Sequence, residues 1–234
     1  DVVLVNRQPT LHKPSIMAHK VRVLTNEKTI RLHYANCKTF NADFDGDEIN
    51  VHFPQDEIAR AEGYEIALTD YQYIVPTNGE PIRGLIQDHI VTGALLTKRD
   101  TFFTRDEFQQ LVYSGIYGVN ASEVIDTPTP SILKPQELYS GKQVITAVLN
   151  HITKGRHPIT LPFSKTKVAA DYWGKGSDEG AVVIRENELL LGVLEKSQYG
   201  ASTYGLVHAA YEVYGADIAG KLLTCFGRLF TRYL

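Results

Sequence analysis

The sequence predicts an α+β chain, and three observations predict it. The first third is built of short β-prone runs, the remainder carries helical periodicity, and a polar, turn-rich stretch at 77–84 parts the two. In the first third, residues 2–5, 21–24, 29–34 and 49–53 are β-prone, several alternating apolar with polar side chains. Pro9, Pro14 and the Asn26-Glu27-Lys28 turn punctuate them. Behind Pro54, the residues Ile58, Ala61, Glu62 and Ile66 fall at helical spacing after the acidic pair Asp56 and Glu57, so a helix is expected over 55–68. The division expected is a first segment over 1–76 and a second over 77–234.

In the second segment, helices are expected over 85–96, 104–114 and 141–152. Three prolines make 126–135 a loop, and three glycines with mixed charge make 171–180 another. Strand-like runs at 181–184 and 189–194 flank a turn at Glu186-Asn187. Two helical patterns close the chain, 203–214 and 216–234, the second with an apolar stripe of Ile218, Leu222, Leu223, Phe226 and Phe230.

A chain of 234 residues, 43% hydrophobic and 22% charged, has the material for a buried core. Its formal charge of −3 gives no overall basic signature, so any nucleic-acid role must rest on local residues. Two distant cysteines, Cys37 and Cys225, indicate neither a disulfide framework nor a Cys-rich zinc site. No apolar run approaches the roughly 20 residues that span a bilayer, so no membrane partner is expected. The opening run reads as the middle of a strand and the last helical pattern stops without a cap, so the chain is expected to be an excerpt of a longer polypeptide.

The most informative residues are Asn41-Ala42-Asp43-Phe44-Asp45-Gly46-Asp47, with carboxylates at every second position. Such crowding calls for a cation. In an extended strand Asp43 and Asp47 would stand roughly 13 Å apart, too far to share one magnesium ion with ligand distances of about 2.0–2.1 Å. The backbone must curl, and Gly46 permits it. Three hard oxygen ligands would leave the remaining octahedral positions to water, a 3′-hydroxyl and substrate phosphate, which is an arrangement for phosphoryl transfer. An EF-hand is excluded, because Glu48 and Pro54 stand where its Gly and Glu belong. A haloacid-dehalogenase-type phosphatase would place Thr or Val where Asp47 stands. A solvated acidic turn is the ordinary alternative, against which stand the β-prone runs on both sides of the loop. His12 and His19 have no ligand partner at useful spacing and are read as packing or hydrogen-bonding residues. Lys13, Lys20 and Arg22 fit phosphate contacts and a solvated face equally.

The run Asn41 to Asp47 resembles the signature of the largest subunit of cellular DNA-directed RNA polymerases, and Arg7-Gln8-Pro9-Thr10-Leu11-His12 resembles its upstream companion. The resemblance continues through Gly84-Leu85-Ile86-Gln87-Asp88, Ser140-Gly141-Lys142-Gln143, Leu191-Gly192-Val193-Leu194, Tyr199-Gly200-Ala201-Ser202 and Gly205-Leu206-Val207-His208, and so covers the whole chain. It implies that the first segment is part of a double-psi β-barrel carrying the catalytic loop, followed by a mixed, mainly helical pore-like region. It implies that Asp43, Asp45 and Asp47 are catalytic and hold Mg2+, and that Arg7 and Asn41 face the sugar of the incoming nucleotide. Lys98, Arg99 and Arg105 would be candidates to line the pore.

The partners it implies are the second-largest polymerase subunit and the other polymerase subunits, the DNA template, the RNA transcript and ribonucleoside triphosphates. The location it implies is the nucleus, within it the nucleolus. Leu32-His33-Tyr34-Ala35-Asn36, Ser131-Ile132-Leu133-Lys134-Pro135 and 204–214 look most like eukaryotic RNA polymerase I, although Ile49 stands where Met is usual. The alternatives are another nuclear polymerase class and a non-catalytic metal-binding assembly module.

Overall fold

The computed structural model describes residues 1–234, which form two units, Asp1–Gly84 and Leu85–Leu234. Small antiparallel sheets and eight helices make the chain α+β. In the first unit, strand β1 (Val2–Asn6) lies between β2 (Ile16–Lys20) and β3 (Asn50–His52), antiparallel to both, with Val5 opposite Met17 on one side and Val51 on the other. Val3 and Val5, two residues apart, turn to one face of this sheet. They bury against Met17 and Phe40, and Leu32, Ala42 and Ile49 pack on that cluster.

Phe40 ends the one-turn helix α1 (Cys37–Phe40), so this core ties the sheet to the segment that leads into the acidic loop. A buried arginine braces the same segment from behind. Arg83 donates from Nε to Asn36 Oδ1 at 3.0 Å and from Nη1 to the Thr69 carbonyl and Asp70 Oδ1 at 3.2 and 3.1 Å. Helix α2 (Glu57–Glu65), capped by the Asp56 carboxylate on the Ala59 N–H, sits close over β1. A Cβ on Gly63 would lie 3.1 Å from Val2 Cγ1.

Two of the expected strands do not form. Residues 21–24 and 29–34 have no ladder partner in the chain, and Val21, Val23, Leu24 and Ile30 lie exposed. β-propensity needs a neighbour to pair with, and these runs have none here. The strand that does form beside β1 is 16–20, which sequence patterning missed because Met17 and Ala18 are adjacent and both buried, breaking the alternation of a half-buried strand. The expected helix over 55–68 is shorter, and the strand over 49–53 is reduced to Asn50–His52.

The second unit is organised by helices α3 (Asp88–Thr97), α4 (Arg105–Ile116), α5 (Gly141–Ile152), α7 (Leu206–Tyr214) and α8 (Ala216–Tyr233), with the single turn α6 (Lys196–Tyr199). Capping boxes start α4 (Thr104 with Glu107) and α5 (Ser140 with Gln143) within one residue of the expected helix starts. Helix α3 starts later than expected because Gln87 takes φ 50°, which is not helical.

α5 is buried on nearly every side, and α8 sinks its stripe of Ile218, Leu222, Leu223, Phe226 and Phe230. A short ladder joins β4 (Phe102–Phe103) to β5 (Tyr139–Ser140), and a second sheet runs β6-β7-β8 over Leu161–Lys165, Ala181–Arg185 and Glu188–Leu191. β6 was not foreseen because Pro162 lowers its strand reading. It is an edge strand, where a missing N–H is tolerated. The 166–180 loop is pinned to the first turn of α5 by a buried ion pair, Lys142 Nζ with Glu179 at 2.7 Å. No helix is long and apolar enough to cross a membrane.

Candidate metal centre

The acidic loop runs between α1 and β3, and its two ends are fastened in the core by Ala42 and Ile49. Asn41 ends α1 in the left-handed region, φ 46° and ψ 43°, with its N–H bonded to the carbonyls of Cys37 and Lys38. Asparagine tolerates this conformation better than other side chains bearing a Cβ, and it turns the chain out of the helix into the loop. Gly46 takes φ +119°, where an added Cβ would meet nothing within 4 Å. Its glycine is therefore required by the backbone angle and not by crowding.

The curl demanded by the carboxylate spacing is present. The Asp43 N–H donates to Asp47 Oδ2 at 3.2 Å, and one carboxylate oxygen from each of Asp43, Asp45 and Asp47 lies within 4.8 Å of the others. Oxygens sharing one ion at about 2.1 Å stand at most about 4.2 Å apart, so a small contraction would seat all three. An all-oxygen, all-anionic donor set suits a hard divalent cation.

Arg7 follows the end of β1 and reaches the loop. Its Nε donates to Asp47 Oδ2 at 2.7 Å and its Nη1 to the Phe40 carbonyl at 3.4 Å. The surroundings of Asp43 and Asp47 make the two carboxylates chemically distinct. Asp43 is held above the usual carboxylate range, first by a hydrogen bond shared with the Asp45 carboxyl, then by desolvation and the charges of Asp45 and Asp47. Asp47 lies below that range: desolvation pushes it up, but the Asp43 N–H and the Arg7 guanidinium together outweigh it.

Beside the loop is a cavity of about 620 Å³, lined by Asp43 and Asp47 together with Lys28, Ile30, Phe44, Glu48 and Asn50. Phe44, exposed at the loop tip, leans on the Tyr34 ring at 5.5 Å between centroids.

Of the residues singled out in the sequence, the structure brings Arg7, Asp43, Asp45 and Asp47 together and puts Asn41 at the loop's entry. It does not bring the histidines to them. His12 bonds Ser15 Oγ through Nδ1, and His19 lies against Thr69 Oγ1 and the Phe40 ring. The Arg7–Asp47 pair was not legible in the sequence, because 40 residues, β2 and α1 among them, separate its members. Lys28 and Ile30 were missed for the same reason. In the second unit Lys98 and Arg99 line a cavity of about 450 Å³ with Trp173 and Lys175, and Arg105 is not among its lining residues.

Comparisons with known proteins agree over the full chain. Residues 1–69 match the family model RNA polymerase Rpb1, domain 2, and residues 72–234 match RNA polymerase Rpb1, domain 3. DNA-directed RNA polymerase I subunit rpa1 of Dictyostelium discoideum is 57% identical over 239 residues, taking in 100% of this chain and 15% of its own length. Subunit RPA190 of RNA polymerase I of Saccharomyces cerevisiae is 56% identical over 237 residues, 100% of this chain and 14% of its own. DNA-directed RNA polymerase III subunit RPC1 of Homo sapiens is 38% identical over 239 residues, 100% of this chain and 17% of its own. The chain thus spans 14–17% of the length of these relatives. With two consecutive family models matched in order along its length, the chain belongs to the RNA polymerase Rpb1 family.

Proposed function

We propose that this chain is the catalytic-centre segment of the largest subunit of a DNA-directed RNA polymerase, which extends RNA on a DNA template from ribonucleoside triphosphates. The observation that carries the proposal is the convergence of Asp43, Asp45 and Asp47 within 4.8 Å on a loop whose two ends are anchored in a core. The three carboxylates fit a magnesium ion, which when bound supplies charge stabilisation for the attacking 3′-oxygen and the phosphoryl group, with a second ion arriving with the nucleotide. Asp43, Asp45 and Asp47 act as its ligands. Arg7 and Asn41, at the root of the loop, offer hydrogen bonds to the ribose hydroxyls of the incoming nucleotide and so favour ribonucleotides.

In this reading the segment 1–76 belongs to a double-psi β-barrel. The unpaired apolar residues Val21, Val23 and Ile30 then find their neighbours in parts of the polymerase outside residues 1–234. The segment 77–234 is the pore-like region. Higher identity to RNA polymerase I subunits than to an RNA polymerase III subunit favours class I, hence ribosomal RNA precursor synthesis in the nucleolus. The partners are the second-largest and other polymerase subunits, DNA and RNA. Template-directed primer extension by affinity-purified enzyme carrying the full parent subunit, wild type against Asp45→Ala at matched assembly, tests the proposal. Loss of extension is expected, and undiminished extension would reduce the loop to a structural element.

A further inference from the structure

We infer that Arg7 is a positioning residue for the acidic loop, holding Asp47 and through it the curled backbone in place before any cation binds. The inference rests on the reading of the loop as the metal centre and adds to Arg7 a role distinct from contact with the nucleotide sugar.

Three carboxylates gathered within 4.8 Å repel one another, and without a counter-charge an exposed loop would open to separate them. Arg7 supplies that charge at one defined atom. Asp47 Oδ2 receives the Arg7 Nε–H at 2.7 Å and the Asp43 backbone N–H at 3.2 Å, so a single oxygen closes the loop between its first and last aspartate. The second Arg7 contact, Nη1 to the Phe40 carbonyl at 3.4 Å, fixes the guanidinium to the last residue of α1, immediately before the loop begins. Phe40 is itself buried in the core with Val3, Val5 and Met17. The loop is therefore braced from the core through Phe40, Arg7 and Asp47 in turn.

The chemistry of the guanidinium explains why one residue serves both partners. Its planar fork carries five N–H donors, of which one on Nε and one on Nη1 are committed to the loop, and both on Nη2 lie outside these two contacts. Arg7 can then meet a ribose hydroxyl without letting go of Asp47. A lysine has a single nitrogen and cannot hold two loop acceptors in this geometry and also present a separate donor edge.

The test uses the assembled polymerase with the full-length subunit, stripped of divalent cations by chelation, and follows amide hydrogen exchange in the peptide spanning 41–49. Arg7→Gln is expected to speed exchange across this peptide by about tenfold or more in the absence of metal, and saturating Mn2+ is expected to restore most of the protection. Arg7→Lys should fall between. Exchange in the α5 peptide, 141–152, serves as the folding control and should not change. Unaltered exchange at 41–49 in Arg7→Gln would overturn the inference, even if the KM for nucleotide rises, because Arg7 would then serve the substrate alone. Faster exchange with an unchanged KM would uphold the positioning role and count against the sugar contact instead.

Discussion

The acidic loop and helix α5 are opposite uses of the same chain. α5 is surrounded by packed neighbours, its capping box is complete, and its polar side chains are spent on holding adjacent elements: Thr146 Oγ1 receives the Leu189 N–H, and Lys142 grips Glu179. The loop keeps Asp43 and Asp45 exposed and close to the half-buried Asp47, an arrangement that adds nothing to stability and requires bracing from outside. The lesson is that the two regions should fail differently. Damage to α5 should lower the free energy of folding, whereas damage to the loop should lower cation binding and catalysis and leave folding intact.

The largest effect that would break this contrast concerns Asp45. Asp45→Asn keeps the shape and removes one anionic ligand, and nucleotide addition by the assembled enzyme is expected to fall by about a thousandfold or more. The urea midpoint of the 234-residue chain is expected to stay where it is, because the residue is exposed and its loss relieves repulsion. A lowered midpoint would show the loop to be part of the folding core after all.

Gly141 provides the reverse case. A Cβ there would stand 1.7 Å from the Leu96 carbonyl oxygen, a backbone atom that cannot step aside, so the first turn of α5 and the end of α3 approach as closely as only glycine allows. Gly141→Ala is expected to cost about 3 kcal/mol or more in urea unfolding, at the upper end of overpacking effects. A loss under about 1 kcal/mol would mean that α5 can shift as a body, and the contrast between rigid helix and braced loop would weaken.

Both of these regions were marked in the sequence, for physical reasons. α5 and its boundaries were legible because Ser140 and Gln143 cap locally and the apolar positions repeat at helical spacing. The curl of the triple-Asp loop was legible because its three carboxylates fall within five residues, and Gly46 announced it. What stayed hidden depends on partners distant along the chain. Residues 29–34 look like a strand but have none to pair with here, and 16–20 becomes one only because β1 lies beside it. Arg7 reaches Asp47 only once the sheet and α1 have formed, so no local pattern could announce that contact.

A smaller effect sharpens the picture of what braces the loop from behind. His19 lies against Thr69 and the Phe40 ring, and its pKa is lowered to about 4, chiefly by burial and then by the nearby Arg83 cation, against a weaker upward pull from Asp70. The unfolded chain takes up this proton near pH 6.5 and the folded chain only near pH 4. His19 therefore adds no penalty above about pH 6.5, and stability drains away as the pH falls from there to about 4, by about 3 kcal/mol in all. Below that both states are protonated and the loss levels off. Urea unfolding at pH 7 and at pH 4.5 should show this loss in the wild type, and His19→Leu should remove most of the difference. An equal pH dependence in both would assign the loss to other groups.

The smallest effect returns to the loop and sets its glycine against Gly141. At Gly46 an added Cβ would meet nothing, so Gly46→Ala carries only the cost of holding a side-chain-bearing residue at φ +119°, about 1–3 kcal/mol. An exposed loop can escape that strain by relaxing its own backbone, so the cost should not appear in global unfolding. It should appear where the curled conformation is required, as Mn2+ binding to the assembled enzyme weakened by roughly 5- to 100-fold, since each 1.4 kcal/mol is a factor of ten in binding. If Mn2+ binding were unchanged while the urea midpoint of the chain fell, the strain would be propagating into Ala42, Ile49 and the core beneath them, and the loop would not be mechanically separable from the sheet that carries it.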